Sequence, residues 1–308
     1  MDNQNKPEWI FDDLRGSMAS GPNAGPTVEF RGNPSYYIAR EALQNIMDAH
    51  DESSAKPVEA EFKVISMPAS DIPGSKHLGE VLSSCAVYLR GKGATDTAVE
   101  FEKGAKKITE NHSIEVLRIS DYDTVGMTDE NWFRFAESVG FSNKQSGSGG
   151  SFGLGKGAYY VSSGFLSLFI SSIASGNSNV FAGKSIVTTF EHKGVRKQNN
   201  GTYGIGEQQP IRDRASIPMN FTKHFPDVFG RSRTGTDFLI PDFIGDENWE
   251  SELVKSILRY FWLPIIMGKL VVKVQDGEAI SADTIEHLLH KYFSKAPFQW
   301  DNTDAPNP

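Results

Sequence analysis

The sequence predicts an α+β sandwich, in which helices and a sheet form separate layers around a shared core. Two observations predict it. Helical patterns come early in the chain, and strand-like patterns dominate after residue 112. A strict alternation of strand and helix, which would indicate a parallel sheet, is not seen. With 308 residues, the chain is long enough for one large core or two modest ones.

The first third of the chain predicts an arm, a helix, a strand and an insertion. Residues 1–34 are rich in Gly, Pro and Asn, which favours an irregular arm or strap. A helix is predicted over residues 35–50 with Ser35 as its N-cap. The alternation in "VEAEFKVISM" predicts a strand. Residues 68–112 are interpreted as an insertion that carries two helices, because they open with a Pro/Gly turn.

The remaining elements are mostly strands. "SIEVLRIS" predicts a strand, "DENWFRFAESVGF" a helix, and "SNKQSGSGGSFGLGKG" a flexible Gly/Ser loop. Three strand regions follow: "GFLSLFISSIA", "NVFAGKSIVTTFEHK" and, after a loop-rich stretch, "GTDFLIP". The last predicted elements are a long helix ("ESELVKSILRYFWLPII"), a hairpin ("KLVVKVQDGEAIS"), a short helix ("ADTIEHLLHKYF") and the polar, disordered tail "DNTDAPNP".

Composition excludes several classes of protein. A formal net charge of −8 argues against a surface built mainly to bind nucleic acid or anionic lipid. Cys85 is the single cysteine, so no intrachain disulfide can form. No apolar run reaches membrane-spanning length, and the polar N-terminus is not a signal peptide. We therefore expect a cytoplasmic protein without a membrane partner.

A Gly-rich stretch raises the question of phosphate binding. Gly150 to Lys156 reads G-x-x-x-x-G-K, but Gly157 stands where a P-loop needs the Ser or Thr that binds Mg²⁺. A P-loop and a dinucleotide-binding loop both follow a strand, and the segment before this loop predicts a helix instead. Both interpretations therefore fail, which leaves a flexible surface loop or a different kind of phosphate loop.

The helix over residues 35–50 carries a polar stripe with definite chemistry. Glu41, Asn45 and Asp48 fall at i, i+4 and i+7, so they share one face between apolar flanks. The alternative is an ordinary solvated face, although such faces usually include Lys or Arg. An Asn carbonyl suits Mg²⁺, which takes few protein ligands. A Glu one turn earlier could deprotonate a water that attacks a phosphoryl group.

This stripe resembles the first motif of the GHKL ATPases, which include gyrase-type topoisomerases, ninety-kilodalton heat-shock chaperones, MutL-type repair proteins and MORC proteins. "EALQNIMDA" matches the E-x-x-x-N-x-x-D-A box, from Glu41 onwards. "RISDYDTVGM" is similar to the second box, with Gly126 and Met127 closing its turn. It is one residue longer than D-x-G-x-G-M, so either Asp121 or Asp123 could be the adenine-binding residue, and we favour Asp121 because it follows the strand directly.

Two further boxes follow in the order that the family shows. "GSFGLG" resembles the G-x-x-G-x-G box, which wraps the triphosphate as part of a lid, interpreted as residues 142–157. The lid is most similar to the chaperone and MORC form. "RTGTD" resembles the Gly-Thr box, in which the hydroxyl of Thr236 would support the aspartate directly or through water. The nucleotide-binding residues implied in the lid are Gly150, Ser151, Phe152, Gly153, Leu154, Gly155, Lys156 and Gly157.

The resemblance implies a fold, two cofactors and roles. The fold would be the Bergerat type: a two-layer sandwich whose mixed, mostly antiparallel sheet has helices on one face. It would bind ATP and Mg²⁺, with Asn45 as the metal ligand, Glu41 as the catalytic base, and Asp48 in the nucleotide site. The nucleotide-binding domain would span 35–241, followed by an extension over 242–300 and the tail 301–308.

The resemblance also implies partners beyond ATP and ADP. Lid closure would drive homodimerisation, with residues 1–34 as a swapped strap, and would change the conformation of an attached effector. DNA processing, client remodelling and prokaryotic defence all remain open as its role. We expect the chain to be the N-terminal part of a longer protein rather than a compact whole. Arg231 and Arg233 are then expected to be surface residues of a loop.

Three alternative functions remain at this point. The chain could bind ATP with little hydrolysis, and it could be a globular protein with chance motifs. It could also transfer phosphate to His, although sensor histidine kinases usually lack the Glu, and no helical hairpin precedes the domain to present a substrate His. Lys156 could be a phosphate partner or a solvated charge.

Overall fold

A single sheet organises the residues that the computed structural model describes, which are 6–21, 34–51, 54–137, 156–174, 178–245 and 247–293. Within them the strand order is β1-β7-β5-β4-β8-β3-β2-β9, with β6 on the outer part of β7. Every pairing is antiparallel except that of β2 with β9. The strands are β1 (Glu8–Asp13), β2 (Val58–Pro68), β3 (Ser113–Tyr122), β4 (Ser167–Ala174), β5 (Ser178–Ile186), β6 (Phe190–His192), β7 (Val195–Gly204), β8 (Gly235–Pro241) and β9 (Leu270–Val274).

Helices of very different length pack on this sheet. A π-turn over Phe133–Glu137 continues the fourth of them. The helices are α1 (Pro34–Asp48), α2 (Ser75–Gly91), α3 (Thr95–Thr109), α4 (Asp129–Trp132), α5 (Gly157–Val161), α6 (Met219–Thr222), α7 (Pro226–Phe229), α8 (Trp249–Tyr260), α9 (Trp262–Ile266) and α10 (Ile285–Tyr292).

The two faces of the sheet carry separate cores, because successive side chains of a strand point to opposite sides. Leu117 and Ile119 of β3 pack with α1, α5 and α8. Ile114 and Val116 of the same strand pack with α2 and α3. The α+β class and the mostly antiparallel sheet covered by helices are confirmed. The expectation that helices cover one face only is corrected, because α2 and α3 of the predicted insertion pack against the second face.

The helix α1 begins one residue earlier than the sequence predicts. Pro34 is its first residue, a position that suits proline because its fixed φ is helical and its missing N–H needs no partner. Ser35 therefore lies inside the helix and is not its N-cap. The apolar side chains of Ile38, Ala42 and Ile46 are buried, and the Ser256 hydroxyl of α8 donates to the Tyr36 carbonyl at 3.0 Å. This packing fixes α1 across the sheet.

Two strands lie where irregular chain is predicted. β1 falls within residues 1–34, and Trp9 and Phe11 are buried there although Gly and Pro dominate the composition around them. β7 falls in the loop-rich stretch before "GTDFLIP" and reads "VRKQNNGTYG", which has no apolar alternation. The prediction of irregular chain is therefore wrong for both segments. These strands form because their backbones pair with each other, and β7 also pairs with β5.

The segment after residue 241 shares the sheet and core of the segment before it. The predicted long helix is interrupted at Phe261, which has φ −120° and separates α8 from α9. The predicted hairpin is wrong in its pairing: β9 is the strand, it runs parallel to β2, and Val272 makes only an isolated bridge with Ile280. No helix among the described residues is both long and apolar enough to cross a membrane.

Candidate functional site

The polar stripe of α1 presents an oriented amide beside a carboxyl. Glu41 and Asn45 are half-buried, and Asp48 is exposed. The Asn45 Nδ2 group donates to Glu41 Oε1 at 3.2 Å and to the Tyr159 hydroxyl at 3.4 Å. Since both N–H groups are used as donors, Oδ1 remains as the acceptor or ligand atom of this amide.

The Glu41 carboxyl has an altered acidity. Burial raises its pKa from the ordinary value, the hydrogen bond from Asn45 and the charge of Arg40 act in the opposite direction, and Asp48 raises it slightly. A carboxyl with a raised pKa is a better proton acceptor than an ordinary surface glutamate. The geometry therefore suits a general base held by its neighbour one turn along the helix.

Tyr159 links this stripe to the sheet. Its ring is buried in α5 and contacts Phe238 of β8 with ring centroids 4.7 Å apart. Burial strongly raises the pKa of its phenol, and the nearby Glu41 and Asp121 carboxyls raise it further. Three predicted site residues, Glu41, Asn45 and Asp121, thus lie near the Tyr159 hydroxyl. The sequence missed Tyr159, since nothing in "GAYYV" distinguishes it from a core aromatic.

Asp121 lies near the end of β3, on the side of the sheet that faces α1. It is 3% exposed. Its Oδ1 accepts from the Thr236 backbone N–H at 3.1 Å and from the Thr124 hydroxyl. Among the described residues no hydrogen bond reaches Oδ2. Burial raises the pKa of this carboxyl to about 6, although Thr124, Arg231 and the Thr236 amide lower it.

Asp123, the alternative to Asp121, is already engaged elsewhere. The Arg233 guanidinium binds it through two nitrogens, with Nη2 2.5 Å from Oδ2, and the same guanidinium donates to Glu59. The hydrogen bonds from Arg233 are the main cause that lowers the Asp123 pKa. A carboxylate paired in this way is satisfied, so the geometry favours Asp121 as the acceptor.

The turn after β3 connects Asp121 to the end of α1. The Val125 N–H donates to the Ala49 carbonyl at 3.0 Å. Gly126 has φ +69°, and a Cβ there would lie 2.5 Å from the Ile173 carbonyl oxygen, so only glycine fits. The Met127 N–H donates to the Ser172 hydroxyl at 2.8 Å. Gly126 and Met127 thus close the turn as the sequence predicts.

Thr236 supports Asp121 through its backbone rather than its side chain. The amide N–H makes the contact, while the Thr236 hydroxyl lies 3.1 Å from Ser172 Oγ. The expectation that the Thr236 hydroxyl contacts Asp121 directly is therefore wrong. Ser172 joins Met127 to the start of β8, since its own hydroxyl donates to the Gly235 carbonyl at 2.8 Å. Ser172 was not predicted as a site residue, and the signal that could have identified it is a serine within a buried strand.

The predicted lid lies largely outside the described residues. This applies to Gly150, Ser151, Phe152, Gly153, Leu154 and Gly155. Lys156 is half-buried and its ammonium donates to the Phe135 carbonyl at 3.2 Å, and burial lowers its pKa. Gly157 begins α5 and is buried. The Lys156 ammonium is therefore only partly exposed to solvent, and its role as a phosphate partner stays a prediction.

Arg231 is not the loop-surface residue that the sequence predicts. It is 8% exposed, and its Nη1 lies 2.6 Å from Asp237 Oδ2. Its Nη2 donates to the Asp121 carbonyl oxygen. The sequence could not separate Arg231 from Arg233, because the two stand in the same polar stretch "RSRTG" and only one of them points into the protein.

A cavity of about 470 Å³ lies elsewhere, between β1 and the start of α2. Trp9, Gly74 and His77 line part of it, and none of the predicted site residues contributes to its walls. The Asp71 carboxyl at its edge is already paired with His224 at 2.9 Å and Lys223 at 3.1 Å. The Asp71 carboxyl is therefore already engaged, and Glu8 and Glu80 are the other acidic residues that line the cavity.

The described part of the chain contains no group of three or more His, Cys, Asp or Glu able to hold a metal ion. Comparison of the sequence with profiles of known families and with curated proteins finds no match. The functional assignment therefore depends on the motif residues and on the contacts described above.

Proposed function

We propose that the chain is a Mg²⁺-dependent ATP-binding and ATP-hydrolysing module of the GHKL type, with a Bergerat fold and a cytoplasmic location. One observation carries the proposal: segments far apart in sequence converge at Asp121. The Thr236 amide binds its carboxyl, and the turn that follows it is joined to the end of α1. Tyr159 connects the same region to Asn45.

The residues around Asp121 fit an adenine base. An exocyclic amino group is a donor, and Oδ2 is an acceptor that no described hydrogen bond occupies. The opposite oxygen is held by the Thr236 amide at 3.1 Å, which orients the carboxyl. Gly126 lets the turn after Asp121 pack against the β4 backbone, where a Cβ would meet the Ile173 carbonyl oxygen. Asp121 would thereby select adenine over guanine, whose corresponding atom is an acceptor.

The residues on α1 fit a Mg²⁺ ion that is shared with phosphates. Mg²⁺ keeps several waters and usually takes one or two protein ligands, so a single amide oxygen is sufficient. Asn45 Oδ1 is the ligand atom, since both N–H groups of this amide are used by Glu41 and Tyr159. Bound Mg²⁺ would neutralise charge on the phosphates and hold them in a reactive orientation.

Glu41 would accept the proton of the attacking water. Burial raises the pKa of its carboxyl, and Asn45 holds one of its oxygens in place. Lys156, at the start of α5, would add a positive charge near the phosphates when the lid closes. Closure would then drive dimerisation and a conformational change in an attached effector. The net charge of −8 argues against nucleic acid as a direct ligand of this segment.

The test of this proposal is thermal stabilisation by MgATP. At a concentration about 100 times its Kd, a ligand stabilises the folded state by roughly 2.7 kcal/mol, which corresponds to an increase of roughly 5 °C in Tm for a chain of this size. We expect that increase in the wild type and its loss in Asn45→Ala, measured by differential scanning fluorimetry. Asn200→Ala, at an exposed position on β7, is the matched control. No shift in the wild type would sink the proposal.

Nucleotide affinity should depend on the ionisation of Asp121. The pKa of this carboxyl is raised to about 6 by burial. Below that pH it is protonated and loses the acceptor that the adenine amino group needs, so MgADP binding should weaken as the pH falls through about 6. Calorimetric titrations from pH 5 to 8 measure this. The same step in Asp121→Asn would contradict the assignment, because phosphate ionisation alone would then explain it.

A further inference from the structure

The Arg231 guanidinium is the centre of a buried cluster behind Asp121. Its Nε donates to the Arg233 carbonyl at 3.1 Å, and its Nη1 donates to the Asp237 carboxylate at 2.6 Å. Its Nη2 donates to the carbonyl oxygens of Asp121 and Thr234. The plane of the guanidinium lies over the Tyr122 ring, 4.7 Å from its centroid. One side chain thus contacts both the end of β3 and the loop before β8.

The same cluster fixes the backbone that holds the Asp121 carboxyl. Gly235 has φ +139°, and a Cβ there would lie 2.3 Å from the Asp121 carbonyl oxygen, so the two backbones are in close contact. The next residue, Thr236, supplies the N–H that binds Asp121 Oδ1. Asp237 of the same strand accepts from Arg231 and from the Ser120 hydroxyl at 2.6 Å. Strand alternation places Asp237 on the face opposite the Asp121 side chain.

We propose that Arg231 is a positioning residue for the base-binding carboxyl. From the opposite face of the sheet it joins the Asp121 backbone to Thr234 and Asp237, the two residues that flank Gly235 and Thr236. It does not touch the nucleotide. A planar guanidinium is suited to this role, because its donors point in fixed directions and a lysine has only one donor centre. The inference rests on the proposed function for the identity of the ligand, but not for the coupling between Arg231 and Asp121.

The positive charge of Arg231 favours the ionised form of the Asp121 carboxyl. It lowers the pKa of Asp121 against the larger effect of burial, and Asp237 raises that pKa slightly. Removal of the guanidinium should therefore make Asp121 harder to ionise as long as the site stays dry. Loosening of the structure would have the opposite effect, since water would return the pKa towards its ordinary value. Other charged or titratable groups near this cluster are Arg118, Arg214, Arg233, Asp123, Tyr122 and Tyr159.

The variants must avoid a buried carboxylate without a partner, which could prevent folding. The double variant Arg231→Met with Asp237→Asn removes both charges, and Asp237→Asn alone is its reference. Arg231→Lys keeps the positive charge but loses the fork of donors. Arg212→Met, which breaks an exposed ion pair with Asp129, is the matched surface control.

The first measurement needs no nucleotide. Carbon-13 NMR of aspartate-labelled protein follows the Asp121 carboxyl, identified by the signal that disappears in Asp121→Asn. Its midpoint should rise in the double variant relative to Asp237→Asn, and should stay near the wild-type value in Arg231→Lys. An unchanged or lowered midpoint in the double variant would overturn the proposal.

The second measurement is steady-state ATP hydrolysis at pH 7. A hydrogen bond to a charged group contributes enough to affinity that KM should rise about tenfold in Arg231→Lys and in the double variant relative to Asp237→Asn, whereas kcat should stay within about twofold. A fall in kcat as large as the rise in KM would indicate a merely structural role and would contradict the proposal. If the wild type binds no MgATP, the proposed function fails, and the carboxyl titration still decides whether Arg231 acts on Asp121.

Discussion

Replacement of Glu41 by Gln is expected to reduce steady-state phosphate release by about 100-fold or more, which is the contribution typical of a general base. The amide has nearly the shape of the carboxyl and keeps an oxygen that accepts from Asn45 Nδ2, so MgATP binding should remain within about threefold of the wild type. Phosphate release and the Kd for MgATP, measured on the same preparation, separate the chemical step from binding.

The control for this variant is Glu100→Gln, an exposed glutamate of α3 on the opposite face of the sheet. It should hydrolyse ATP at the wild-type rate. Equal rates in Glu41→Gln and the wild type would remove Glu41 as the base and favour a module that binds ATP with little hydrolysis. Acid-labile label on the protein after incubation with labelled ATP would instead favour phosphotransfer to a histidine.

Replacement of Asp121 by Asn is expected to weaken ATP binding by about 100-fold or more. The remaining oxygen would still accept from the Thr236 N–H, as Oδ1 does at 3.1 Å in the wild type. The new amide N–H₂ would then face the adenine amino group, which sets donor against donor in a buried site. Sites built around one buried hydrogen bond discriminate strongly when the partner is wrong. Calorimetry with MgATP and MgGTP measures the effect, and GTP should lose far less affinity.

The matched control for Asp121→Asn is Asp123→Asn, the neighbouring carboxylate that Arg233 already binds. Its affinity for ATP should change by less than about threefold, since a partly exposed ion pair contributes little. If Asp123→Asn lost affinity and Asp121→Asn did not, the adenine-binding residue would have been assigned to the wrong aspartate. Thermal unfolding of both variants without nucleotide verifies that each is folded.

The sequence predicted those parts of the candidate site that depend on local helix or strand geometry. The i, i+4, i+7 spacing predicted that Glu41, Asn45 and Asp48 share a face of α1, because helical geometry alone decides it. The preference for Asp121 over Asp123 followed from its place at the end of a strand. Strand alternation places its side chain on the face of Leu117 and Ile119, which pack with α1. Asp123 lies beyond the end of β3 and has φ +60°, so its side chain leaves that pattern and pairs with Arg233.

The sequence was uninformative where partners distant in the chain decide the outcome. β7 carries polar residues over most of its length and becomes a strand through its neighbours. Arg231 resembles any loop arginine until β3 and β8 come together around it. Tyr159 and Ser172 have the same limitation, since their roles depend on which polar groups lie opposite them in the folded chain.

The pairing of β9 with β2 has a consequence for how the chain folds during synthesis. Val58 of β2 pairs with Leu270 of β9, and Glu8 of β1 pairs with Gly204 of β7. The β1 end of the sheet can therefore be completed only after residue 204 has left the ribosome, and the β9 end only after residue 270. Contacts this distant in sequence slow folding, because loop-closure entropy is lost before they form. The growing chain would leave the backbone of β2 open along one edge until residue 270 emerges, a period in which a chaperone would be of most use.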